Sequence, residues 1–245
     1  MAPTRGTLLR FATLAVNVAA YTHSGTKSHP QVSSGRTTYI GRSEFGFDSY
    51  LGIRYAQPPV GNLRWQPTVA LSGNHTGADV TIHATNYGNN CTLTGSEDCL
   101  FLNVWTPPGN KDMNALPVMV FIHGGCYVAG SGNVEMQYMI AGNLDTPVVA
   151  VSLNYRLEVM GYLGGDLVKA NTSDGSAGNF GTQDQRMALH WIKENIAAFG
   201  GNNSNIFLFG ESAGKLIIRY FFLLSACKIE VIIRIIRCPL SFIFR

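Results

Sequence analysis

Charge is scarce in this chain. Asp, Glu, Lys and Arg make up 13% of its 245 residues, against 46% apolar residues. That balance excludes a disordered chain and points to a globular α/β-sized domain with a substantial core. Positive charge is not in surplus through the body. Residues 1–214 carry twelve Lys or Arg against fourteen Asp or Glu, a net −2, so no nucleic-acid partner is expected. Long apolar runs are missing too, and no stable membrane span is expected. No Cys/His cluster has zinc spacing and no G-x-x-x-x-G-K motif occurs, so neither a metal nor a cofactor is expected.

The sharpest absences are local. Residues 215–245 contain no glycine, although the chain has 27, and no histidine, although it has six. Their one acidic residue is Glu230. They carry eight isoleucines, as many as the 214 residues before them, and a net charge of +5. Composition therefore divides the chain at Lys215.

What is present upstream reads as an alternation of strands and helices. Thr37–Ile40, Leu51–Tyr55 and Phe101–Trp105 are strand candidates. Val118–Ile122, Val148–Leu153 and Ile206–Phe209 are near-continuous apolar runs, as expected of parallel strands buried on both faces. A helix is expected from about Thr182 to Phe199, with Ala188, Trp191, Ile192, Ile196 and Phe199 on one face and Gly200-Gly201 as its stop. This order argues for an α/β architecture without a linker that would split it.

Two motifs carry chemistry. Gly210-Glu211-Ser212-Ala213-Gly214 follows the last apolar run and has the G-x-S-x-G form of a nucleophile elbow, which lifts a serine oxygen above the sheet on a strained strand-to-helix turn. The alternative is a Gly/Ser-rich turn with no catalytic role. His123-Gly124-Gly125-Cys126 directly follows an earlier strand, where backbone N–H groups of a glycine-rich loop meet a developing oxyanion. A serine needs a base, and in this fold the acid and the histidine follow the serine in the chain. His123 precedes it and is assigned to the loop.

The blocks around these motifs resemble the type-B carboxylesterase/lipase family, which includes the cholinesterases. Glu97-Asp98-Cys99-Leu100-Phe101-Leu102-Asn103-Val104 and Phe207 to Gly214 are similar to its two signatures. Gly52 to Trp65 is similar to its N-terminal segment, with Arg54 where proline is usual. Asn154 to Leu157, Gly178 to Arg186 and Asn195 to Gly201 continue the likeness, which covers residues 37–214. The resemblance implies an α/β-hydrolase fold with a mostly parallel central sheet. It implies Ser212 as nucleophile, an oxyanion hole from the N–H groups of Gly125, Cys126 and Ala213 with Gly124 shaping the loop, and Glu211 as a buried carboxylate beside the serine. It also implies a Cys91–Cys99 disulfide and an ester, small or lipid, as substrate. The acid and histidine of the triad have no counterpart, so the chain as given is expected to be a truncated, inactive relative of an ester hydrolase. An unspliced intron, a frameshift or a gene-model error would account for residues 215–245. A catalytically silent adhesion or binding module and an untranslated pseudogene product are the alternatives.

The remaining features concern the route of the chain. Arg5 and Arg10, the apolar Phe11–Ala20 and the small residues Val18-Ala19-Ala20 read as a secretory signal over residues 1–20, the alternative being a disordered tail. The hydrolase part would then span residues 21–214. Asn74, Asn90, Asn171 and Asn202 each head an N-x-S/T sequon. Cys91 and Cys99 lie eight residues apart in a polar loop, a spacing suited to a disulfide in a secreted protein, or to two free thiols. An extracellular location is expected.

Overall fold

The computed structural model describes residues 29–71, 79–109, 116–141 and 147–223. The expected signal segment, Asn74, and most of the Ile-rich segment lie outside the described residues.

Nine strands are described. β1 (Gln31–Ser34) and β2 (Thr37–Ile40) form a hairpin, and β5 (Val80–His83) adds parallel to β2. The larger sheet has the order β3-β4-β6-β8-β7-β9, from β3 (Arg42–Glu44), β4 (Phe47–Arg54), β6 (Phe101–Thr106), β8 (Val149–Leu153), β7 (Leu116–Ile122) and β9 (Gly201–Gly210). The α/β expectation holds, with one refinement: the described part of the central sheet is mixed rather than mostly parallel. Pairing is antiparallel from β3 through β4 and β6 to β8, and parallel only across β8, β7 and β9. A parallel pair needs a crossover long enough to hold a helix. In the larger sheet such connections follow β7: α1 (Met136–Ala141) leads to β8, and α2 (Glu158–Tyr162), α3 (Asp166–Asn171) and α4 (Phe180–Asn195) lead to β9.

The sheet separates two apolar layers through the alternation of strand side chains. Val118, Val120 and Ile122 of β7, Val149, Val151 and Leu153 of β8, and Ile206 and Leu208 of β9 share a core with α4. The five residues expected on the inner face of that helix region are all buried. The regular helix ends at Asn195, a 3₁₀ turn carries Ile196–Phe199, and Gly200 closes it at φ 84°, a left-handed conformation that glycine adopts without strain. On the other side, Leu51, Trp105 and Ala150 meet Met136 and Ile140 of the short α1.

That second layer is thin, which corrects another expectation. β8 is buried along its whole length, but β7 alternates buried with half-buried residues, and Phe207 and Phe209 of β9 are half-buried. Of the three runs expected to be buried on both faces only β8 is, and its neighbour β6 joins it, buried from Leu102 to Thr106. Finally, α5 (Ala213–Leu223) crosses the Lys215 boundary without a break. Ile217 and Ile218 pack inward, whereas Leu216 is 61% exposed and does not contribute to that packing.

Candidate active site

The parallel register pairs Ile122 with Gly210. The chain leaves both strands at the same end, so His123–Cys126 and Glu211–Ser212 emerge side by side. The crevice beyond the carboxyl ends of parallel strands is where α/β sheets place ligands. Ser212 has φ 49°, a left-handed conformation that a non-glycine residue adopts only when its surroundings impose it. Between β9 and α5 it is held by two turn bonds, from the Gly214 amide to the Glu211 carbonyl (2.9 Å) and from the Leu216 amide to the Ser212 carbonyl (3.2 Å). The Ser212 side chain is exposed, and among the described residues nothing hydrogen-bonds its hydroxyl.

Glycine lets the two segments approach. A Cβ on Gly124 would stand 2.6 Å from the Glu211 carbonyl oxygen and 3.1 Å from Ser212 Cβ. One on Gly214 would collide with the Ile122 carbonyl. Gly125 (φ 100°), Cys126 (φ 52°) and Tyr127 (φ 64°) then form a consecutive left-handed run, closed by Val128 and Ala129 amides that both donate to the Gly125 carbonyl at 3.0 Å. Successive amides in such a turn make an anion-binding concavity. The expected oxyanion residues Gly124, Gly125, Cys126 and Ala213 are thus brought to one place.

His123 belongs to the floor of this loop. It is buried, its ring stacks on Tyr155 at 4.3 Å, Nδ1 lies 2.9 Å from the Gly124 carbonyl, and its own carbonyl accepts the Tyr155 hydroxyl at 2.7 Å. Burial lowers its pKa, partly offset by the Gly124 hydrogen bond, so the ring is neutral. Glu211 departs from expectation: it is exposed, because no described element packs over the turn that carries it. Cys126 is a free, exposed thiol, and Cys91 is joined to Cys99.

Other residues support the site whose roles no short motif disclosed. Asn103 and Asn154 form a buried polar net under the far end of the loop. Asn103 Nδ2 donates to the Gly132 carbonyl and Ser152 Oγ at 3.1 Å each, and Asn154 Oδ1 accepts the Gly132 amide at 2.7 Å. Arg156 and Asp184 form a buried ion pair between β8 and α4 at 2.8 Å. Arg54 makes a bidentate pair with Asp98 (2.6 and 2.9 Å) and lies over Phe101. Asn103, Asn154, Arg156, Asp184, Arg54 and Asp98 all stand within blocks quoted from the sequence, but the partners are distant in the chain. Glu158, at φ 54°, gave no signal at all.

An open trough of about 650 Å³ runs from Cys126 and Tyr127 past Val128, Val159, Tyr162 and Leu163, with Glu158 its one carboxylate. A smaller cavity of about 200 Å³ lies beside the disulfide loop and shares no lining residue with the elbow or the oxyanion loop. Of these two spaces, the trough is the one that touches the oxyanion loop, through Cys126. Among the described residues no helix is long and apolar enough to cross a membrane.

Comparison with known proteins finds similarity to esterases and lipases. A juvenile hormone esterase of Tribolium castaneum is 38% identical over 214 residues, which is 81% of this chain and 34% of the relative. Lipase 4 of Diutina rugosa is 38% identical across 69% of this chain and 35% of its own length. The chain therefore spans about a third of the length of these curated relatives. Among solved structures, a thermophilic PNB esterase superposes with a TM-score of 0.69 at 33% identity, covering 83% of this chain and 43% of the other. EstA of Aspergillus niger gives 0.69 at 36% identity, covering 79% and 38%. The architecture is that of the α/β-hydrolase fold, met here as its mixed sheet with flanking helices. The profile of the carboxylesterase family matches residues 31–236, past the compositional boundary at Lys215. On that match, together with relatives that are esterases and lipases, the chain belongs to the carboxylesterase family.

Proposed function

We propose that this chain carries the nucleophile and oxyanion hole of a secreted serine carboxylic-ester hydrolase. The observation that supports it most is the Ile122–Gly210 register, which sets an exposed, left-handed Ser212 beside a left-handed glycine loop. In this reading Ser212 Oγ attacks the ester carbonyl carbon and the carbonyl oxygen becomes an oxyanion. The N–H groups of Gly125, Cys126 and Ala213 receive that charge where water is replaced by fixed dipoles. Collapse expels the alcohol and leaves an acyl-enzyme on Ser212, which water then hydrolyses. The trough beside Cys126 takes the apolar part of the ester. Glu211, exposed beside the serine, adds negative charge near the site.

The proton on Ser212 Oγ needs an acceptor. All six histidines precede the elbow, and the one built into the site, His123, is stacked and hydrogen-bonded away from the serine hydroxyl. These 245 residues therefore turn over esters slowly on their own. Loss of the base of a triad costs on the order of a million-fold in kcat. The signal segment over residues 1–20, a disulfide in a polar loop, and sequons at Asn90, Asn171, Asn202 and Asn74 support a secretory route.

A fluorophosphonate probe with mapping of the labelled peptide tests the reading. Slow labelling confined to Ser212, and lost in Ser212→Ala, is the expected result. Labelling that persists in the variant removes Ser212 as nucleophile. Rapid labelling with ester turnover overturns the missing base.

A further inference from the structure

The three proposed oxyanion donors come from two segments far apart in the chain, and something must hold those segments in register. Gly125 and Cys126 sit on a loop with two successive non-glycine residues at positive φ, Cys126 and Tyr127. Such backbone persists only where neighbours over-determine it. At the start of the loop the Tyr155 hydroxyl donates to the His123 carbonyl at 2.7 Å. At its other end stands Tyr127, for which the sequence motifs have no role.

We propose that Tyr127 is a positioning residue: its hydroxyl ties the oxyanion loop to the first turn of α5 and thereby sets the Gly125 and Cys126 amides against that of Ala213. This rests on the reading of those three residues as the oxyanion hole. The hydroxyl donates to the Ala213 carbonyl at 3.3 Å, a bond that joins the loop directly to the elbow. The backbone carbonyl of Tyr127 accepts the Glu158 amide at 2.7 Å, and its ring meets that of Tyr162 at 4.8 Å. Tyr127 is therefore held by α2 from behind while it holds α5 in front. Burial raises the pKa of its phenol, so the hydroxyl is protonated and able to donate through the neutral range. Phenylalanine would keep the ring contact and lose only the tie.

Amide hydrogen exchange on the full chain tests this without needing catalysis. The reporters are the Val128 and Ala129 amides, bonded to the Gly125 carbonyl, and the Glu158 amide, bonded to Tyr127. In Tyr127→Phe their exchange rises about fivefold, the factor expected from one net hydrogen bond, while α4 amides keep their rates. Fluorophosphonate labelling of Ser212 slows by a similar factor in its inactivation rate, with probe affinity unchanged. Unchanged exchange at all three amides overturns the proposal. So does an equal rise across α4, which would mean general loosening. Tyr127→Leu separates ring from hydroxyl: if it opens the loop while Tyr127→Phe does not, packing holds the loop and the hydroxyl tie is refuted. Should neither variant fold, the parent chain decides. The loop amides must then open together with those of Gly214 and Leu216 in the elbow, and independent opening refutes the tie. A chain with no labelling at Ser212 would count against the hydrolase reading, and the exchange result would still judge the tie.

Discussion

Replacing Asp184 with asparagine is the most informative single perturbation of this structure. Asp184 is fully buried and Arg156 is 3% exposed. Asp184 Oδ2 accepts Arg156 Nε at 2.8 Å and the Arg156 backbone amide at 3.0 Å. Oδ1 accepts Arg156 Nη2 at 2.8 Å and Thr68 Oγ1 at 2.5 Å. Every acceptor direction is thus met by a donor, and the guanidinium also reaches the Gln66 carbonyl and the Phe180 ring. In Asp184→Asn an NH₂ replaces one oxygen and faces donors, and a buried cation loses its counter-charge. Removing one partner of such a pair costs about 3–5 kcal/mol. For a chain of this size, at roughly 2–4 °C per kcal/mol, Tm falls by about 6–20 °C. Urea and thermal unfolding followed by circular dichroism measure both. The half-exposed Arg54–Asp98 pair is the internal control: Asp98→Asn should cost no more than about 1 kcal/mol. A double replacement, Arg156→Met with Asp184→Leu, should recover part of the loss, since apolar side chains remove the orphaned charge. A cost below about 1 kcal/mol for Asp184→Asn would show that the pair is solvated and that the argument from burial is wrong.

Glu158→Gly should stabilise the chain by about 0.5–1 kcal/mol, because glycine relieves a left-handed φ of 54° and returns part of the gain as backbone entropy; a lower Tm would show that the Glu158 side chain holds more than its backbone strain costs. Stability should fall as pH drops below the ordinary histidine value of about 6.5. Burial lowers the pKa of His123 in the folded state, so between that lowered value and 6.5 the unfolded chain binds the extra proton. Urea titrations at successive pH values should lose that slope in His123→Asn, and an identical slope in the variant assigns it elsewhere. Reducing the Cys91–Cys99 bond, or replacing both cysteines with serine, should cost about 2.5 kcal/mol for a loop of this length in the chain-entropy model, read from the shift of the urea midpoint.

Much of the scaffold was legible because its signals are local. Thr37–Ile40 and Val118–Ile122 carry their own apolar pattern, and Gly200-Gly201 ends the α4 region where a left-handed residue is required. The elbow and the loop were legible for the same reason: five residues after a strand, and four residues after another. The antiparallel half of the sheet was not, because an apolar run has no direction until it finds a neighbour. β3 and β5 are short, and in β5 no residue is fully buried, so periodicity hardly marked them. The exposure of Glu211 was misread, since burial is decided by what packs above a residue and not by its place in a motif.

The amino-acid order alone thus determined which residue is the nucleophile candidate, which glycines must accompany it, and that the histidines all come before it. Those are facts of identity and spacing. Only the tertiary structure decided that Ile122 stands beside Gly210, that His123 is stacked and neutral in the floor of the loop, and that Tyr127 reaches Ala213. Each of these joins residues far apart in the chain, and such contacts arise only when strand register and close packing bring the segments together.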